Sequence, residues 1–217
     1  IADQVKGLEK QTGIKLNYKK VMQDVAKVDG QLAAQYKNNP QLIAKAVIEA
    51  KKLGITLEQA ANMGKNLLNW ESSIEAELEA ELLTGKQLNL EDARNLALKG
   101  KSAEAATEML KQVGSAAEFS NMDAIQQEAI AKSMGMQTDE LANSLREKEL
   151  LNKLGAQNME QLAAEEGGLE RMRAAGGEDL VKAYEQQSAQ EKMNQAMVKL
   201  SEILGALVAG PLGTMMD

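Results

Sequence analysis

The sequence predicts an all-α chain: multiple glycine-separated helices of 10–28 residues in helical-hairpin or bundle packing, with short coiled-coil stripes at both ends. Three observations carry this expectation. The 217 residues include 32 Ala and 28 Leu, both strong helix formers, and the small Ala side chain lets helices approach closely. Side-chain caps and glycines punctuate the chain as helix starts and stops. No alternating run of β-branched residues competes with them.

Each element follows from its own punctuation. Periodic apolar residues place a first helix over 15–37. Asn39-Pro40 sets an acceptor at an N-cap and proline at the first helical position, where its missing N–H is no loss, so a helix runs over 40–53. Thr56 with Gln59 fits a capping box for a helix over 57–84, and Ser115 with Glu118 fits another. Asn89 and Ser102 read as N-caps for helices over 89–99 and 102–113. Helices over 121–134, 138–154 and 178–208 follow, with short helical pieces elsewhere. Gly54, Gly85, Gly100, Gly114, Gly135 and Gly155 mark the ends.

Two of these joints resemble each other. Leu53-Gly54-Ile55-Thr56-Leu57-Glu58-Gln59-Ala60-Ala61-Asn62 aligns without gaps with Met134-Gly135-Met136-Gln137-Thr138-Asp139-Glu140-Leu141-Ala142-Asn143. Each has a glycine stop, a covering apolar residue and an acid in the next first turn, where it favours the helix dipole. An old duplication would explain the match, as would one solution to a common capping problem; glycine intervals of 31, 15, 14, 21 and 20 residues do not suit a solenoid.

Val21, Val25, Val28 and Leu32 form a stripe at the N-terminal end, and Met193, Met197, Leu200, Leu204 and Leu207 form one at the C-terminal end. Both are too short for a secure coiled coil, so each needs a partner helix in its own chain or another copy. The C-terminal stripe is the candidate partner-helix interface. Gly167-Gly168 and Gly176-Gly177 bracket a short piece, which divides the chain into a helical-hairpin region at 1–166, a hinge at 167–177 and a long C-terminal helix with an apolar end at 178–217.

Composition then narrows function. With no His and no Cys, the chain lacks the side chain that titrates near neutrality, the commonest transition-metal ligands and the strongest nucleophile. The expectation is a non-enzymatic structural protein with no catalytic residues, cofactor or metal. Only five aromatics (Tyr18, Tyr36, Trp70, Phe119 and Tyr184) imply thin helical layers over a thick core. Net charge runs from +5 over 1–56 through −4 over 57–100 to −8 over 101–217. The lysines at the basic end are scattered and have only Tyr18 and Tyr36 among them, a solvated face and not a specific nucleic-acid site. The chain starts at Ile1, which reads as a processed protein or, as we expect, a segment of a longer one.

Glu71, Glu75, Glu77, Glu79 and Glu81 fall within eleven residues and share helix faces at i and i+4, a spacing that could hold a hard cation. Neither an Asp-rich loop nor neutral oxygen ligands accompany them. The expectation is that Ile74, Leu78 and Leu82 are the buried stripe and the acids face solvent. The apolar run at 203–216 is fourteen residues long and broken by Gly and Pro, too short to span a bilayer. It suits a helix end docked on another subunit, or the start of a longer hydrophobic segment beyond Asp217 that touches a host membrane.

The stretch Asn69-Trp70-Glu71-Ser72-Ser73-Ile74-Glu75-Ala76-Glu77-Leu78-Glu79-Ala80-Glu81-Leu82-Leu83-Thr84-Gly85-Lys86, continuing as Leu88 to Arg94, resembles a segment of the tail tape measure proteins of tailed phages. Gln126 to Met136 and Asp139 to Ala142 resemble a following segment of the same family, with Gln137 where a Ser or Thr cap is expected. The resemblance implies a virion protein that sets tail length during assembly, fills the tail tube or tail-tip lumen and leaves at genome delivery. Implied partners are other copies of itself and tail tube or tail-tip proteins. The competing class is a helical adaptor or scaffold module of a cytoplasmic complex.

Overall fold

A computed structural model describes residues 18–156 and 159–209, and among them the fold is all-α: thirteen helices and no strand. They are α1 (Tyr18–Lys27), α2 (Gly30–Gln35), α3 (Pro40–Lys52), α4 (Leu57–Leu68), α5 (Trp70–Thr84), α6 (Glu91–Leu98), α7 (Ser102–Val113), α8 (Ala116–Ser120), α9 (Ala124–Ser133), α10 (Thr138–Leu154), α11 (Met159–Ala164), α12 (Gly168–Ala174) and α13 (Glu178–Ala209). Lengths run from five to 32 residues, wider than the sequence suggests. The chain divides into two compact units, 1–177 and 178–217.

Side-chain caps start five of these helices. Asn39 accepts from the Gln41 N–H at 2.9 Å, with Pro40 first in α3. Thr56 and Gln59 close their box in both directions, at 3.1 and 2.8 Å. Other boundaries differ from the sequence reading. The helix expected over 15–37, insofar as it lies in the described residues, is two helices, because the Asp29 carboxylate accepts from the Leu32 N–H at 2.7 Å and starts α2. The helix expected over 57–84 breaks at Asn69, whose backbone leaves the helical region. Asp123 caps α9, which therefore starts at Ala124 and not at 121. Asn89 and Ser102 are not the N-caps: Leu90 and Lys101 hold those positions, while Asn89 accepts from the Glu91 N–H within the preceding turn and Ser102 is buried in α7.

The first unit has one main core, built from Met63, Leu67, Leu90, Met109, Leu110, Phe119, Ile130, Met134, Leu141 and Leu145. Fully buried Ala60, Ala80, Ala105 and Ala106 lie where helices need a close approach. A second cluster settles the N-terminal stripe: Leu32 packs with Ile43, Ala46, Val47 and Leu57, and Val25 and Val28 cover them, while Val21 packs on Ala44 and Ile48. Its partner is therefore α3 of the same chain, not a coiled-coil strand.

The two similar joints meet each other inside this unit. In both, an N–H just past the glycine reaches back to close the helix end: Ile55 to the Ala50 carbonyl at 3.2 Å and Met136 to that of Ala131 at 3.0 Å. A Cβ at Gly54 would lie 2.9 Å from Glu147 Cβ, and one at Gly135 would lie 2.8 Å from Asn66 Cβ. These contacts are equivalent, since residues 66 and 147 differ by the same 81 positions as Gln59 and Glu140, which hydrogen-bond to each other at 3.4 Å. Reciprocal contacts with a self-equivalent pair between them are the signature of an approximate two-fold relation. Ser144 adds a hydrogen bond of 2.6 Å to the Leu53 carbonyl.

Candidate interaction surfaces

The acidic helix α5 is arranged differently from the sequence expectation. Its buried face is Ser73, Ala76 and Ala80, small residues that bring it close to α9. The two helices run antiparallel: Gln126 near the start of α9 donates to the Leu83 carbonyl at 2.9 Å, and Lys132 near its end pairs with Glu79 at 2.7 Å. Ile74, Leu78 and Leu82 do not form the buried stripe; with Trp70 they face outward, 40, 53, 85 and 53% exposed respectively. The physical reason lies in their spacing. Positions four apart advance about 40° around a helix at each step, so a row of pure fours leaves any one face, whereas the 3-4 spacing of Ser73, Ala76 and Ala80 stays on it.

The acids are also divided. Glu77, its side chain only 13% exposed, pairs with Arg94 of α6, which donates to Ser73 as well at 3.2 Å; the other Glu77 oxygen accepts from the Leu90 N–H at 3.1 Å. Glu81 accepts from the Leu88 N–H at 2.7 Å. Two carboxylates thus satisfy the backbone of the turn between α5 and α6, a structural task that explains why they sit on the inner side. Glu79 holds Lys132, whose pKa is raised by that hydrogen bond and the accompanying charge attraction. Glu71 and Glu75 are exposed. No group of three or more acidic side chains placed to hold a metal occurs among the described residues.

At the basic end, three of the described lysines face carboxylates. Lys51 approaches Asp24 at 2.9 Å, Lys27 approaches the same carboxylate at 4.0 Å, and Lys45 pairs with Glu49 at 3.7 Å. Tyr36 packs on the second core cluster, and burial pushes its hydroxyl pKa up. It is not free to stack on a base; the Tyr18 side chain lies outside the described residues. Lys86 reaches the end of α7, donating to the Val113 carbonyl at 2.6 Å and to Glu118 at 3.0 Å. That hydrogen bond, with the attraction of the ammonium, holds the Glu118 carboxyl below its ordinary range.

In the second unit, α13 is one helix of 32 residues, about 48 Å long at 1.5 Å per residue. Met193 and Met197 of the candidate interface are exposed, at 54 and 63%. Leu200, Leu204 and Leu207 occupy helical positions on the same face, and their side chains lie outside the described residues. The run at 203–216 is helical as far as Ala209 and lies outside the described residues beyond it. No helix among the described residues is long and apolar enough to cross a membrane.

The exposed row on α5 is the surface that sequence reasoning missed. Its signal was present in the strict four-residue spacing and in the small residues at 73, 76 and 80. No family model, curated protein or solved structure matches this chain. What the structure defines is a class: among the described residues, an all-α fold with small side chains at many helix contacts, an exposed apolar row on α5 and exposed Met193 and Met197 on α13.

Proposed function

We propose that this chain is a structural virion protein, a segment of a phage tail tape measure protein that sets tail length, fills the tube or tail-tip lumen and is released at genome delivery. The observation that carries the reading is the resemblance of residues 69–86, 88–94, 126–136 and 139–142 to that family. An all-helical chain without His or Cys suits the role, because a lumenal filler needs length and packing surfaces and no chemistry. The long helix α13, with Met193 and Met197 outward, offers a face on which neighbouring copies can associate. The second reading, a helical adaptor or scaffold module of a cytoplasmic complex, rests on the same exposed faces.

Substitution on the α13 stripe distinguishes the two. A buried Leu contributes about 1.5–3 kcal/mol, so a stripe of five apolar residues is costly to leave in water. Leu200→Asp is expected to dissociate copies in sedimentation equilibrium, or to block entry into the tube, with helix content by circular dichroism nearly unchanged. Unfolding of the variant as a monomer would make the stripe an internal core and favour the adaptor reading.

A further inference from the structure

We propose that the Trp70, Ile74, Leu78 and Leu82 ridge of α5 is the docking surface for a basic amphipathic helix of a partner protein. These side chains stand at every fourth position over thirteen residues, about 18 Å of helix from first to last. Such a ridge is what one helix inserts into the groove of another when both pack by their i±4 rows, with axes crossing near −50°. All four members are exposed, and Leu82 the most so. A contiguous apolar row of this length on a helix whose other face is already packed marks an interaction site and is not needed for the fold.

The charges beside the ridge select the occupant. Glu71, Glu75 and Glu79 form the next i±4 row, one residue along, so carboxylates line one side of the ridge beside Trp70, Ile74 and Leu78, and the exposed Leu83 continues that row beside Leu82. Glu79 is held by Lys132, whose ammonium also attracts Glu75 at longer range, whereas neither Glu71 nor Glu75 lies within ion-pair distance of a cation among the described residues. On the other side, Ser73, Glu77 and Glu81 are engaged with the body of the unit. A helix lying on the ridge therefore meets a flank of net negative charge, three carboxylates against the single ammonium of Lys132. A helix with lysine or arginine beside its apolar face neutralises that charge. An antiparallel pair of copies joined through this ridge would set two carboxylate rows on the same side of the contact, and each chain already carries a net charge of −7. Anionic lipid and nucleic acid meet the same repulsion.

Trp70 is the only tryptophan of the chain, so its emission reports on the ridge without a label. The test titrates the whole chain with a designed Leu/Lys amphipathic helical peptide of about 18 residues, enough to cover the ridge, and with a Leu/Glu peptide of identical apolar face. The Lys peptide is expected to shift Trp70 emission to the blue and to bind at least about tenfold more tightly than the Glu peptide. Leu82→Asp, at an exposed position where circular dichroism should stay unchanged, is expected to weaken binding by about tenfold or more. The double variant Glu71→Lys, Glu75→Lys should reverse the order of the two peptides. The proposal is overturned if the Lys peptide leaves the emission unmoved, if the two peptides bind equally, or if Leu82→Asp has no effect. It is also overturned if the ridge proves to join two copies, seen as a dimer in sedimentation that Leu82→Asp abolishes, or if anionic vesicles shift Trp70 more than the Lys peptide does.

Discussion

At the scale of single residues, the buried contact of Arg94 with Glu77 and Ser73 ties α5 to α6. Its two charged side chains are only 10 and 13% exposed, so each depends on the other for the solvation that folding removed. Removing one member of a buried pair leaves an uncompensated charge, which typically destabilises by about 3–5 kcal/mol. Arg94→Met is therefore expected to lower unfolding free energy by about 3 kcal/mol in urea denaturation. Glu77→Met should lose still more, because Glu77 also accepts the Leu90 N–H. A change of under about 1 kcal/mol for Arg94→Met, the range of exposed ion pairs, would show that the pair is hydrated in solution.

At the scale of elements, the glycine joints separate backbone strain from packing. Gly54, Gly85 and Gly135 all have φ near +70°, but a Cβ at Gly85 would meet nothing within 4 Å, while at Gly54 and Gly135 it would press on Glu147 and Asn66. Gly85→Ala should cost about 1 kcal/mol, from the left-handed conformation alone. Gly54→Ala and Gly135→Ala should each cost distinctly more and by similar amounts, as the reciprocal contacts require; equal urea midpoints for all three variants would contradict this. These joints were legible in the sequence because caps and stops are local: Asn39-Pro40, Thr56 with Gln59, and the glycines each act within a few residues. The break at Asn69 was not legible, since Leu68-Asn69-Trp70-Glu71 contains neither Gly nor Pro and the apolar rhythm continues through it. Nor was the buried face of α5, because hydrophobicity pointed to Ile74, Leu78 and Leu82 while close approach to α9 selects Ser73, Ala76 and Ala80. Burial of Glu77 was hidden for the same reason: its partners, Arg94 and the Leu90 N–H, are fixed only by the tertiary fold.

At the scale of the whole molecule, the all-α class followed from composition and capping, and the first unit shows how an interior can be built with a single fully buried aromatic, Phe119, among its described residues. Aliphatic side chains and alanine contacts fill the space that rings usually occupy. Exposed apolar side chains on α5 and α13, among them Leu82 and Met197, are surfaces on which other helices can pack, which suits the assembly role proposed above. Assembly inside a phage tail is the central proposal, and one measurement tests it most directly: quantitative mass spectrometry of tailed-phage particles purified from a host that expresses the chain, before and after genome delivery is triggered. The account predicts peptides of this chain at a few copies per intact particle and their loss from emptied ones. Their absence from intact particles, or equal amounts before and after delivery, would contradict it.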